Sequence, residues 1–150
     1  MERRVIIDTN ALYILLLGAE NEARQIALFL DDSKPAITPT IISKLLHVLT
    51  LRYLRKHGLI KGVRDMRKWI ATNGYPQDVI VAIEDLLKSL NPDILTERLD
   101  DWKELIETAK SLKLMSNDAL IAIAAKRHNV DRMITFDSDF KRVPWIDTIP

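Results

Sequence analysis

The sequence predicts an α/β fold of three layers, α/β/α, with a short, mostly parallel central sheet of about five strands flanked by helices. Three observations lead there. Short apolar runs rich in β-branched residues, Val5-Ile6-Ile7 first among them, stop abruptly at polar residues, as strands buried on both faces do. They alternate with longer segments whose apolar residues recur at helical spacing, the pattern of crossover connections in a parallel sheet. The chain has 150 residues, 47% hydrophobic and 29% charged, which suits one complete core, so residues 1–150 are read as a single domain.

Each element has its own signal. Val5, Ile6 and Ile7 form the first strand, ending at Asp8. Residues 10–17 are apolar all round, which predicts a helix buried in the domain or against a partner and makes a homodimer an expectation. A second helix is predicted over about 22–30, and after Ser33, Lys34 and Pro35 a very short strand at Ala36 and Ile37. Thr38 and Pro39 read as an N-cap followed by proline at the first helical position. Ile41, Leu45, Val48 and Leu49 then continue an apolar face to about His57, where Gly58 ends the helix. Helices over about 61–71 and 77–90 are separated by the breaker Asn73-Gly74-Tyr75-Pro76 and closed by Asn91-Pro92. A strand at 93–95, a helix from Thr96 or Glu97 to Lys110, a helix capped by Ser116 and running to about His128, a strand at 132–135 and an edge strand at 145–149 complete the reading.

Composition narrows the chemistry. The absence of cysteine excludes disulfides, thiolate zinc sites and cysteine nucleophiles. A formal net charge of +1 gives no global signature for nucleic acid or membrane, so any basic surface must be local. No stretch approaches the roughly 18 apolar residues of a membrane span. Arg3, Arg4 and the apolar run after them are interrupted by Asp8, Thr9 and Asn10, which reads as a core strand and helix rather than a signal peptide. A cytoplasmic protein without membrane partners is the expectation.

In a parallel sheet, ligands bind beyond the carboxyl ends of the strands, where strand order reverses. Asp8 directly follows the first strand, Asp137 follows Ile134 and Thr135 after one residue, and Asp118 opens a helix whose approach should reach the same edge. Asp139 flanks Asp137. Carboxylates gathered so closely raise one another's pKa unless a cation neutralises them, and their hard oxygens suit Mg²⁺ or Mn²⁺. Each acid also has a plain structural role open to it: Asp8 as a helix cap, Asp118 against a helix dipole, Asp137 and Asp139 in a turn.

Val5-Ile6-Ile7-Asp8-Thr9-Asn10, Asn117-Asp118-Ala119-Leu120-Ile121 and Ile134-Thr135-Phe136-Asp137-Ser138-Asp139-Phe140 resemble, in order and spacing, the three best-marked motifs of PIN domains. That family consists largely of metal-dependent ribonucleases, toxins of toxin–antitoxin pairs among them. The resemblance implies that Asp8, Asp118 and Asp137 are catalytic acids that bind metal, with Asp139 auxiliary. It makes Thr135 an orienting hydroxyl and Asn10 a hydrogen-bond partner of a ligand carboxylate; the alternatives are an ordinary strand residue and a helix-start residue. Phe140 is assigned to the core.

One position departs from the family. Where PIN domains carry a glutamate early in the helix after the second strand, this chain has Lys44, and no acid lies between Asp32 and Asp65. Exchanging an acid for an ammonium at about 4 Å changes the energy of a cation by on the order of 4 kcal/mol per unit charge at an effective dielectric near 20. Lys44 therefore either points to solvent beside a weakened three-carboxylate site, or pairs with Asp8 or Asp118 in place of the ion, or contacts a substrate phosphate.

The remaining signals are weaker. Lys34, Lys44, Arg52, Arg55, Lys56, Lys61 and Arg64 follow one another without an acid, while residues 78–107 are acidic. That pattern is either two solvated helix faces or a phosphate-binding flank, in which Arg52, Arg55 and Lys56 hold RNA without reading its sequence. His47, His57 and His128 lack metal-ligand spacing, and Trp69, Trp102 and Trp145 read as packing residues. A phosphatase of the haloacid-dehalogenase type is discounted, since Asn10 cannot supply the second acid that chemistry needs. The expected activity is Mg²⁺- or Mn²⁺-dependent endoribonucleolytic hydrolysis of single-stranded or structured RNA, with a small antitoxin as partner. A catalytically inactive PIN-like module that binds RNA or protein is the alternative.

Overall fold

The computed structural model describes residues 3–150. Among them, five parallel strands stand in the order β3-β2-β1-β4-β5: β1 is Arg4–Ile7, β2 Lys34–Ile37, β3 Asp93–Ile94, β4 Arg132–Ile134 and β5 Asp147–Ile149. Every pairing is parallel, where the sequence predicted mostly parallel. Seven helices flank the sheet: α1 Thr9–Leu17, α2 Glu20–Leu30, α3 Pro39–Lys56, α4 Val63–Asn73, α5 Gln77–Leu90, α6 Trp102–Leu112 and α7 Ser116–Arg127. A 3₁₀ turn covers Ser138–Arg142.

The chain lays β1, β2 and β3 outward in one direction, then returns to place β4 on the other side of β1. Strand order thus reverses between β1 and β4. Val5, Ile6 and Ile7 are fully buried, as are Met133 and Ile134 beside them, so the reversal point lies in the middle of the core. The Asp8 N–H continues the ladder by donating to the Ile134 carbonyl at 3.0 Å, which fixes where β1 stops. Phe140 is completely buried, as expected.

α3 brings the middle of the sequence to the same end of the sheet. Thr38, fully buried, caps it by accepting from the Ile41 N–H, and Gly58 at φ +66° follows its last turn, a conformation that costs glycine little. The Glu97 carboxylate grips its start: one oxygen accepts from the Thr40 N–H at 2.5 Å and the other from the Thr40 hydroxyl at 2.6 Å.

That contact explains one correction. The helix predicted from Thr96 or Glu97 begins only at Trp102, with Asp101 as its cap, because Glu97 is committed to α3 instead. Ser116 is the first residue of α7 rather than its cap, and Met115 takes the cap position without a side-chain bond. α4 starts after Gly62, and Trp145 and Ile146 precede β5 rather than belonging to it. The Trp145 indole N–H donates to the Ala122 carbonyl, whereas Trp102, expected to pack, is 66% exposed.

α1 is less covered than its apolar circumference predicted. Ala11 and Leu12 are buried, Ile14, Leu15 and Leu16 only partly, and Leu17 is exposed. No helix among the described residues is long and apolar enough to cross a membrane.

Because the Glu97 grip supplies two charge-assisted bonds to a half-buried helix start, Glu97→Ala should cost about 2 kcal/mol of stability in urea denaturation. A loss below about 0.5 kcal/mol would show that α3 is positioned without it.

Candidate metal centre

Asp8 ends β1 and caps α1 in one move. Its Oδ1 accepts from the Thr9 N–H at 2.8 Å and its Oδ2 from the Thr135 hydroxyl at 2.8 Å, and the residue is 2% exposed. The Thr135 oxygen in turn accepts from the Asp137 N–H at 3.0 Å, so one hydroxyl links two of the candidate carboxylates. Burial pushes the Asp8 carboxyl above the ordinary carboxylate range, against the pull of Thr135, Thr9 and the Lys44 charge, while the nearby Asp118 charge adds to the rise.

Asp118, also buried, sits in the first turn of α7. It meets Asp137 and Asp139 such that one carboxylate oxygen from each lies within 4.8 Å of the others. Two oxygens on a single octahedral Mg²⁺ at about 2.1 Å stand about 3.0 Å apart when cis and about 4.2 Å when trans, so the three would have to draw together to share one coordination sphere. The sequence grouped Asp8, Asp118 and Asp137, with Asp139 in support; the three that converge are Asp118, Asp137 and Asp139. Asp8 lines a cavity of about 440 Å³ together with Thr9, Asn10, Tyr13, Lys44, Arg52, Arg55 and Asp137.

Lys44 turns toward the acids rather than to solvent. Its Nζ lies 2.9 Å from Asp118 Oδ1, with the lysine side chain 31% exposed and the aspartate 7%. Asp139 is also engaged: its Oδ1 accepts from Arg142, whose guanidinium bonds the Leu112 and Lys113 carbonyls as well and so ties the end of α6 to the turn. Four carboxylates thus face two cations, and the formal surplus of two negative charges matches one divalent ion. Asn10 does not reach a carboxylate among the described contacts; its Oδ1 accepts from the Phe136 N–H at 3.2 Å and pins the segment between Thr135 and Asp137.

The basic residues divide. Arg52 and Arg55 line the cavity that holds Asp8 and Asp137, with Arg52 donating to the Tyr13 hydroxyl at 2.9 Å. Lys56 lies outside it, in a neighbouring groove with Leu16, Leu17, Tyr53 and Asp78.

Several participants were not singled out in the sequence. Thr9 carries a buried hydroxyl without a hydrogen-bond partner among the described residues, on the wall of the cavity. Its place between Asp8 and Asn10 was the available signal. Arg142, three residues after Asp139 in a short turn, and Phe136, half exposed between Thr135 and Asp137, had only proximity in sequence to mark them.

Residues 5–146 match the PIN domain family. The chain belongs to that family. Similar proteins include two from Methanocaldococcus jannaschii. Ribonuclease VapC6 is 27% identical over 147 residues, covering 97% of this chain and 95% of the relative. Ribonuclease VapC2 is 28% identical over 160 aligned positions, covering 99% and 94%. Among solved structures, VapBC2 from Rickettsia felis bound to a DNA fragment from their promoter superposes with a TM-score of 0.64 at 15% identity, over 97% of both chains. PAE2754 from Pyrobaculum aerophilum gives 0.57 at 16% identity, covering 98% of this chain and 83% of that one. At those identities the structures establish the shared fold, and the PIN fold is what places this domain's carboxylates at its strand reversal.

A carboxyl raised by folding binds its proton more tightly in the native state. Stability contributed by this group is therefore full below the ordinary carboxylate pKa and falls as pH rises through the raised value. Asp8→Asn should remove that loss. Measured in EDTA, its melting temperature should exceed the parent's at pH 7, and the difference should shrink as pH falls toward 4; a lower melting temperature at pH 7 would mean that the ionised form is the stabilising one.

Proposed function

We propose that this PIN domain is a ribonuclease that hydrolyses RNA phosphodiester bonds with Mg²⁺ or Mn²⁺, acts as the toxin of a toxin–antitoxin pair, and binds its metal weakly because of Lys44. The observation that carries the reading is the convergence of Asp118, Asp137 and Asp139 beside buried Asp8 at the strand reversal. The archaeal relatives named ribonucleases support the choice of RNA. The Rickettsia felis VapBC2 structure supports an antitoxin as partner. The partly covered α1, with Leu17 exposed, supports a homodimer.

In this reading Asp118, Asp137 and Asp139 would supply oxygens to the ion, and Asp8, held by Thr135 and Thr9, completes the negative wall. Bound there, a divalent ion would supply water activation and charge stabilisation on a phosphate. Asp8, buried in the wall of the notch with its carboxyl pushed up, would be the group to take up a proton there. Arg52 and Arg55 face the cavity as phosphate contacts, and Lys44 would move from Asp118 toward the scissile phosphate when the ion arrives. No protein nucleophile is needed.

The Lys44–Asp118 pair also favours a second reading, a catalytically inactive module in which the ammonium permanently replaces the ion. The two separate in a Mn²⁺ titration by calorimetry. The nuclease should bind Mn²⁺, and Lys44→Glu should tighten binding on the order of a hundredfold, given about 4 kcal/mol per unit charge at 4 Å reduced by solvent screening. Absence of binding in both the parent and Lys44→Glu would leave only the inactive module.

Cleavage of a labelled single-stranded RNA should require Mg²⁺ or Mn²⁺, stop in EDTA, and fall at least about a hundredfold in Asp8→Asn and Asp118→Asn. Full activity in both variants would dispose of the mechanism.

A further inference from the structure

The near-neutral total charge conceals a strongly polar molecule. Between Asp32 and Asp78 stand nine Lys and Arg but a single acid, Asp65; this stretch holds a formal +8 and the remainder −7, closing to +1 overall. Of the nine cations only Lys44 is in an ion pair among the described residues. Asp65 is turned to the start of α4, where it accepts from the Lys61 and Gly62 N–H groups.

α4 directs Met66, Trp69 and Ile70 into a small core shared with Leu54 and Ile60. Arg64, Arg67 and Lys68 are left exposed, and Val63 and Ala71 lie with them along one shallow groove. Arg64 precedes Arg67 and Lys68 by three and four residues, a spacing at which like charges destabilise a helix. Helix stability therefore gives no reason for the cluster. A polyanion does, because phosphates neutralise the repulsion and release their own counterions.

We propose that this outer face of α4 binds the phosphate backbone of single-stranded RNA outside the carboxylate notch, without reading its sequence. The choice of RNA rests on the nuclease reading above. Along α3, Lys44 and Arg55 share a face and stand about 16 Å apart, the length of about five stacked nucleotides. Arg55, Lys56 and Lys61 then carry positive charge along the chain to α4. A short oligonucleotide fills the notch alone, and a longer strand gains the second grip.

The test compares the full chain with the triple variant Arg64→Gln, Arg67→Gln, Lys68→Gln, in EDTA, by fluorescence anisotropy. All three positions are exposed and the Asp65 bonds are kept, so an unchanged melting temperature certifies the fold. A strand of about 24 nucleotides should lose on the order of tenfold in affinity, with a log K against log salt slope shallower by about two for three lost contacts. A strand of about six nucleotides should be unaffected, and so should its cleavage in Mn²⁺. Single-stranded DNA of the longer length should lose the same factor, as a grip on phosphates requires. Unchanged affinity and slope for the long RNA overturn the proposal, including the case in which the variant loses an acidic protein partner instead. A parent chain that binds long RNA but never cleaves refutes the nuclease reading and leaves this one standing; a parent that does not bind it overturns this one.

Discussion

A buried carboxylate opposes folding the less, the more donors hold it, and Asp8 is held by two. The Thr9 N–H and the Thr135 hydroxyl satisfy its oxygens at the point where β1 and β4 end together. The same threonine accepts from the Asp137 N–H, so the position of the next acid follows from how the first is held. Asn10 secures the intervening peptide at Phe136. The negative notch is thus built into the sheet's reversal point rather than added to its surface, and β4 could not shift without unbinding Asp8.

Lys44 and Arg142 decide how much of that negative charge is free. Lys44 reaches Asp118 from α3, and Arg142 reaches Asp139 while bonding carbonyls at the end of α6. Both act at hydrogen-bond distance. Arg142 has three partners that hold it in place, whereas Lys44 is partly exposed and has one, so Lys44 is the cation that can leave. The cation nearest Asp118 is thus a movable one. On the proposed function, metal and substrate affinity would be coupled, since an ion would displace the ammonium and a phosphate would receive it.

Much of the architecture was legible. The β-branched run at Val5–Ile7, the Thr38-Pro39 start of α3 and the Gln77–Leu90 span bounded by Pro76 and Asn91 are local signals, and the chain obeys them. The helix predicted from Thr96 failed because Glu97 bonds Thr40, a partner 57 residues away that local pattern cannot reveal. The same limit applied to the site. Three motifs pointed to acids at one sheet edge, but not to the grouping of Asp139 with Asp118 and Asp137 within 4.8 Å. Lys44 was plain in the sequence; its choice of Asp118, 74 residues on, was a matter of folded distance.

The central claim is that the Asp118, Asp137 and Asp139 carboxylates form a divalent-ion site from which Lys44 can be displaced. Anomalous diffraction from crystals soaked in Mn²⁺ tests it directly. The account predicts a manganese peak bonded to oxygens of those three residues, with Lys44 Nζ drawn away from Asp118. A map with no peak there and the Lys44–Asp118 contact intact at saturating Mn²⁺ would contradict it.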